Sequence, residues 1–543
     1  MPHLDGIQTF TRPFTWFYRE FGVAAIHDTG RNAYLIILAR TCRILAYGTN
    51  TLILALFFAE LKFSDYQIGL FMSLTLLGDV FLGVLLTLVA DKVGRRKVLF
   101  GGSFLMILSG ATFAIFENFW ILLIAAVVGV VSVLGGDFGP FRAVEESILS
   151  QLTSPETRSD VLAWYVTTST VGSAIGSELS GRLIKLLRAS FGWELSTVYH
   201  ALFWFYAFMG LFNAVLVLLL TKECELSPKE AEYVRVSQGE QREGSMELQE
   251  PQQSESTDYT DHVSAGSDKT SKTKRYWSGF SRRLAQISAS TRATMYKLWL
   301  LLAMDSIADG MVPFPLTNYY IDQKFHPAKS TLGDMTSAAY FLGAISSVFA
   351  GPLARKIGLI NTMVFTHIPS SAAVLLLPVP TSLWLTILLI LIRSGLNNMD
   401  QAPRAAFIAA VVKPEERTAV MGITSMLRTL AAMTGPSLTG LLAGNDRFWI
   451  AFVAAGALRL AYDVGLYVLF VNMKLYQHEG GGGGDGGAAA QVLERRRAAA
   501  VADEEEEDFT ELEDLMSEVA SSRSSEDGRS KGFLSDGRKV DVG

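Results

Sequence analysis

Cysteine is nearly absent. The two thiols among 543 residues, Cys42 and Cys224, stand far apart and show neither metal-ligand nor disulfide spacing, which excludes a disulfide-framed domain and a cysteine-ligated redox centre. Charge is also scarce, at 18% Asp, Glu, Lys and Arg with a formal net charge of −6, so there is no basic balance suited to nucleic acid. No Asn-x-Ser/Thr sequon occurs and no Gly-x-x-x-x-Gly-Lys-Ser/Thr loop for ATP. No metal or nucleophile constellation marks an enzyme, and no cofactor is expected. His3, Asp5, Arg12, Arg19 and Glu20 precede any long apolar block, so the first apolar segment is expected to insert as its own signal in place of a cleaved leader.

What is abundant is apolar surface. Half of the residues are hydrophobic and the mean hydropathy is +0.28. A bilayer core about 30 Å thick takes roughly 20 apolar residues per helix, and runs near that length recur about twelve times. They fall near 33–61, 67–90, 98–116, 119–150, 160–187 and 196–221, then 294–321, 332–353, 360–379, 382–412, 418–443 and 447–474. The expected fold is an all-α membrane protein of twelve transmembrane helices in two pseudo-symmetric six-helix bundles. Its parts are an N-terminal segment 1–32, bundles 33–221 and 294–475, a hydrophilic loop 222–293, and a Gly-rich acidic tail 476–543. Connections after even-numbered spans hold Lys92, Arg95, Arg96, Lys97, Arg158, Arg355, Lys356, Lys413 and Arg417, against a sparser set at Lys62, Arg188, Lys324 and Arg447 after odd ones. Flanking bases of this kind predict that both termini and the 222–293 loop are cytosolic.

The two halves repeat. "SPETRSDVLAW" from Ser154 answers "KPEERTAVMGI" from Lys413, "IGSELSGRL" from Ile175 meets "TGPSLTGLL" from Thr434 at the same offset, and "TLVADKVG" from Thr87 meets "GPLARKIG" from Gly351. The loop Asp91-Lys92-Val93-Gly94-Arg95-Arg96-Lys97 between spans two and three, with its echo at Arg355-Lys356-Ile357-Gly358, resembles the signature of the major facilitator superfamily, the drug and metabolite:proton antiporters in particular. The resemblance covers about 33–475. It implies secondary transport by alternating access, with Asp91 near the start of span eleven, where free backbone N–H groups favour an anion, and with Lys92, Arg95, Arg96 and Lys97 holding the loop at the cytosolic surface while Gly94 permits the turn. Thr87 replaces the usual glycine, and Arg355 inverts the charge in the second copy.

Ionisable groups inside spanning helices cost about 2.5 to 3.5 kcal/mol each on insertion scales and normally face protein or a wet cavity. Span one carries Arg40 and Arg43, span four Asp137, Arg142, Glu145 and Glu146, span seven Asp305 and Asp309, and span ten Arg393, Asp400 and Arg404. In the superfamily these four spans line the central cavity. Asp305 and Asp309 are four apart and share a helix face, so mutual repulsion marks them, with Asp137, as candidate proton carriers; the alternative is static pairing with Arg43, Arg393 or Arg404. The repeat sets Glu145 opposite Arg404, as a gate or as a permanent clamp between the halves, and Arg43, Arg142 and Asp400 complete the cavity charges. Phe138 and Phe141, with Asn397 and Asn398, are candidate contacts for a substrate with an apolar body and some polar groups. Glu178 with Arg182 reads as a helix contact, and Arg459 with Asp463 as a self-satisfied pair.

Beyond span twelve, Arg495 to Arg497 precede "ADEEEEDFTELEDLM", in which Glu511 and Leu515-Met516 fit an acidic di-leucine-type sorting signal for a vacuole or other endomembrane, the plasma membrane being the other expected site. The leading function is export of a small organic molecule in exchange for protons, by a monomer embedded in the lipid bilayer. Uptake or organellar import is the second reading, and a non-transporting receptor or scaffold the third.

Overall fold

Apolar runs surrounded by lipid satisfy their backbone N–H and C=O groups internally as helices. The computed structural model of the chain, which describes residues 23–129, 140–154, 157–225, 289–412 and 414–471, has only helices as its regular elements. A short α1 (Val23–Thr29) leads into span one, α2 (Arg31–Glu60). Spans two and three are α3 (Asp65–Val93) and α4 (Arg95–Ile115). Span four comprises α5 (Phe119–Gly129) and α6 (Pro140–Leu152), and spans five and six are α7 (Arg158–Phe191) and α8 (Leu195–Leu218). A 3₁₀ turn, Lys222–Cys224, follows.

In the second half span seven is α9 (Ala289–Met311) with α10 (Phe314–Phe325), and spans eight and nine are α11 (Lys329–Ile357) and α12 (Leu359–Leu376). Span ten is α13 (Leu383–Asn397), a 3₁₀ turn Asn398–Asp400 and α14 (Gln401–Val411); span eleven is α15 (Pro414–Ala432) and α16 (Thr434–Ala443); span twelve is α17 (Phe448–Phe470). Among the described residues seven helices are long and apolar enough to cross a membrane alone, and the bent pair α9–α10 is an eighth. The spans that miss that test are four, five, ten and eleven. They form two repeat-related pairs, and they are the ones in which charge, hydroxyls or helix breaks dilute the apolar run.

Local chemistry sets the ends. Ser64 and Gln67 close a capping box at the start of α3. Gly94 and Gly358, equivalent in the repeat, both take positive φ, +110° and +91°, and each joins two helices at a corner that a side chain would strain. The packing repeats as well. Span one lies on five, three on six and two on four, as seven lies on eleven, nine on twelve and eight on ten. In the one–five and seven–eleven pairs a glycine meets bare backbone: a Cβ on Gly176 would stand 2.0 Å from the Leu45 carbonyl oxygen, and one on Gly310 2.0 Å from that of Ala432.

The halves meet through spans two and eleven, five and eight, and one and seven. Their shared bonds gather toward the end of the molecule at which span one turns into span two, called here the far end. Tyr319 donates to Asp65 at 2.6 Å, the Ser437 N–H to the Ser73 hydroxyl at 3.0 Å, and Arg182 to Asp334 at 2.8 Å. Gly181 against Gly333 and Gly69 against Gly440 bring backbones into direct contact there.

Span seven bends by 45° where Pro313 lacks an N–H to continue the helix. The carbonyls freed by the break find partners on other spans. Thr439 of α16 donates to Met311 O at 2.7 Å, and Arg393 of α13 to Val312 O at 2.6 Å.

Candidate functional site

Between the halves lies a cavity of about 440 Å³. One wall is Arg40, Ile44 and Tyr47 of α2, Arg142 of α6, and Ser169, Thr170 and Ser173 of α7; the other draws on α9 to α11 and α13 to α15, with Asp309, Arg393, Asn397, Asn398, Asp400, Arg404 and Arg428 among its charged and amide groups. Spacing explains the first wall, since Arg40, Ile44 and Tyr47 follow one helical stripe, as do Ser169, Thr170 and Ser173.

On the α2 side two guanidiniums share one carboxylate. Arg43 donates to both oxygens of the buried Glu145 at 2.7 Å. Arg40 lies over the Tyr165 ring and donates to its hydroxyl at 2.9 Å; that hydroxyl donates to Glu145 at 2.7 Å. Arg142 pairs with Glu146 at 2.6 Å.

The opposite side holds a larger network. Arg404 donates to Asp305 at 3.1 Å and also bonds Asp400 four residues before it. Arg459 donates to His367 Nε2 at 2.7 Å, bonds Asn397 and stands 3.5 Å from Asp309. A guanidinium can only donate, so Nε2 accepts and the ring proton sits on Nδ1, 2.7 Å from Asp463, to which Ser371 also donates at 2.9 Å. His367 therefore joins Asp463 to Arg459, with Asp305 3.8 Å from Nε2. Five helices contribute, and every donor is a mid-span residue.

Asp305 and Asp309 share a helix but not an environment. Asp305 is fully buried within the network, whereas the Asp309 side chain is 33% exposed in the cavity wall. The expected meeting of Glu145 with Arg404 is not made: each is held within its own half, by Arg43 and Tyr165 in one case and by Asp305 and Asp400 in the other. Arg459 and Asp463 are likewise not a self-satisfied pair, because His367 stands between them. Phe141 is not at the cavity; it is buried with its ring against Gly102, 5.5 Å from the Arg43 guanidinium, and serves packing. Asn397 and Asn398 do line it. Asp137 and Phe138 lie outside the described residues, as do the side chains of Asp91 and Lys92.

At the end opposite the far seam, the segment that joins α3 to α4 makes a contact that its own residues did not announce. The backbone N–H groups of Arg95 and Arg96, which open α4 and have no carbonyl of their own helix to bond, donate to the Glu225 carboxylate at 2.7 and 3.2 Å, and Gln151 links the Arg95 side chain to the Glu225 carbonyl. Lys97 is exposed. His367, Arg459 and Glu225 were not singled out as site residues from the sequence. Mid-span position was the available signal for the first two, and nothing marked Glu225 among the acids opening a hydrophilic loop.

A helical membrane protein with two related halves around a polar cavity is the architecture of a secondary transporter. The chain matches the Major Facilitator Superfamily over residues 36–284 and 298–501 and belongs to that family, one of transporters and not of enzymes. An uncharacterized membrane protein of Saccharomyces cerevisiae is 30% identical over 434 residues, which cover 79% of this chain and 92% of that protein. Among solved structures, a bacterial homolog of the human lysosomal transporter Spinster, in an inward-facing unoccupied conformation, superposes with a TM-score of 0.55 at 15% identity, covering 80% of this chain and 94% of the other. The nucleoside transporter NupG gives 0.56 at 13%, covering 82% and 100%. The E. coli xylose transporter XylE, partially occluded and inward open, gives 0.58 at 12%, covering 83% and 99%. At these identities the likeness is one of fold.

Proposed function

We propose that this secondary transporter is proton-coupled and moves a small organic molecule by alternating access, with Asp309 as the carboxyl that loads and releases the proton. The observation that carries the reading is the position of Asp309, open to the cavity on one side and 3.5 Å from the fully buried Arg459 on the other. An acid so placed exchanges protons with cavity water, and its charge state alters the hold on Arg459, hence on His367 and Asn397. It also neighbours Gly310, whose backbone packs on Ala432 beside the break in span eleven, so a change at Asp309 has a short path to the interface of spans seven and eleven. Asp305, fully buried and held by Arg404, is a structural acid in this reading.

Orientation follows the flanking bases, with both termini and the Glu225 contact cytosolic and the far seam external, so that the conformation is closed toward the outside. The test uses purified protein in pyranine-loaded vesicles, with a panel of metabolites added under pH gradients of either sign. Exchange, the mode expected from the sequence and the one export requires, gives proton movement opposite to solute; cotransport gives movement with it. Asp309→Asn is expected to leave solute flux insensitive to the gradient. Unaltered proton dependence in that variant removes Asp309 from the mechanism.

A further inference from the structure

The cavity walls differ from the network behind them in one respect that bears on the cargo. Arg393 is 8% exposed and lines the cavity, yet among the described residues no carboxylate lies within ion-pair distance of it. It donates to neutral oxygens, Val312 O at 2.6 Å and the Thr317 hydroxyl at 3.3 Å, with the Phe314 ring 5.6 Å away. A guanidinium has five N–H donors, so most of its donating capacity is not spent on these two. The carbonyl end of α9 offsets part of the charge, but a helix end supplies only about half a unit charge.

Two further features add to the positive balance. The twelve-residue helix α10 begins at the cavity, where Pro313 and Phe314 form part of the wall, and its N-terminal end carries the positive pole of its dipole. Across the cavity Arg40 is one of two guanidiniums served by the single Glu145 carboxylate. Of the two acids in the wall, Asp400 is buried and bonded to Arg404, which leaves Asp309 as the exposed one. The remaining polar lining includes Ser169, Thr170 and Ser173 on one side and Ser394, Asn397 and Asn398 on the other. Positive charge that is only partly compensated in a polar hollow between membrane spans is stabilised by a counter-anion, and hydroxyl and amide groups suit a solute that is itself rich in hydrogen-bonding groups.

We propose that the cavity takes a small hydrophilic organic anion, its oxyanion group bound by Arg393 beside the start of α10 and its hydroxyl-bearing body lying against the Ser169, Thr170 and Ser173 face of α7. This reading rests on the protein being a carrier but not on proton coupling. It differs from the expectation of a solute with an apolar body and some polar groups in the weight given to charge; of the contacts expected for that solute, Asn397 and Asn398 line the cavity and Phe141 does not.

The experiment measures thermal stabilisation of the full-length protein in detergent by citrate, malonate, glucose 6-phosphate and inorganic phosphate, against sorbitol and choline, at ionic strength matched with a bulky sulfonate buffer. Saturable stabilisation by one or more of the anions, with sorbitol and choline inert, is the expected result; carboxylates against phosphates tell which oxyanion is preferred. Arg393→Gln should weaken the best anion at least tenfold, and Arg393→Lys should recover part of that loss, since it restores charge without the planar fork. A purely structural Arg393 would lower the melting temperature without changing the ratio of anion to sorbitol response. Asp309→Asn should tighten anion binding severalfold by removing the exposed negative charge, whether or not it uncouples protons, so the two readings fail separately. No response to any anion in the parent protein, a larger response to choline or sorbitol, or equal anion affinity in the parent and Arg393→Gln overturns the assignment. Should Arg393→Gln not survive purification, the parent panel and the Arg393→Lys affinity decide.

Discussion

The seam at the far end is built so tightly that one methyl group tests it. Gly69 of α3 faces α16, and a Cβ there would sit 2.3 Å from the Pro436 carbonyl oxygen and 2.8 Å from the Gly440 Cα. Unstrained carbon contacts need roughly 3.5 Å, so Gly69→Ala must part the two backbones by about 1 Å. Neither neighbour is a side chain that can swing aside. Overpacking of this kind costs about 1 to 3 kcal/mol, and because the strain exists only while the seam is shut, it acts on the balance between closed and open rather than on folding alone. A bias of that size shifts a two-state balance roughly 5- to 150-fold. The assay is the rate at which a membrane-impermeant maleimide labels Ser73→Cys, whose parent hydroxyl is bonded to Ser437 across the seam. The two native cysteines are both buried and add little background. Labelling should quicken tenfold or more in the Gly69→Ala background. Gly101→Ala, on α4 with nothing within 4 Å of the added carbon, is the control and should leave the rate unchanged. Equal rates in both backgrounds, with unchanged melting, would show that these backbones do not form a closing gate.

Other outcomes follow from the same geometry. Glu225→Ala should cost about 1 kcal/mol by uncapping α4, lowering the melting temperature without changing anion response. Burial pushes the Cys224 thiol from its ordinary 9.0 up to about 11. Between those values the unfolded chain has released the proton and the folded one has not, so stability should fall as pH rises from 9 to 11, and Cys224→Ala should flatten that alkaline slope in melts recorded across the range. Arg404→Leu leaves Asp305 and Asp400 buried without their guanidinium and should cost about 3 to 5 kcal/mol, read as lost monodisperse yield. Adding Asp305→Asn and Asp400→Asn should recover part of that yield.

Hydrophobic length and the internal repeat carried most of the fold. The "ADKVG" and "ARKIG" segments even anticipated a shared corner, which appears as the positive φ of Gly94 and Gly358. Pairings were harder to read. Spacing along a helix tells which side chains share a face but not which neighbour supplies the answering group, so Glu145 was set opposite Arg404 by symmetry although Arg43 was nearer in space. The same limit left His367 a lone membrane histidine with no assigned partner, because four-residue spacing suggested a complete Arg459 and Asp463 pair while the third member comes from α12. Phe141 looked like a cargo contact because aromatic residues serve cavities and packing alike. The interruption of span ten at Asn398–Asp400 and of span eleven at Met433 lay inside runs that read as continuous.

The break at Pro313 ties three spans together through two bonds, Thr439 to Met311 and Arg393 to Val312. A knuckle pinned this way cannot straighten without releasing its pins, and one pin, Arg393, is also part of the cavity wall. An anion bound by Arg393, as proposed, would draw it away from Val312, so that the arrival of cargo and the loosening of the joint would be one mechanical event.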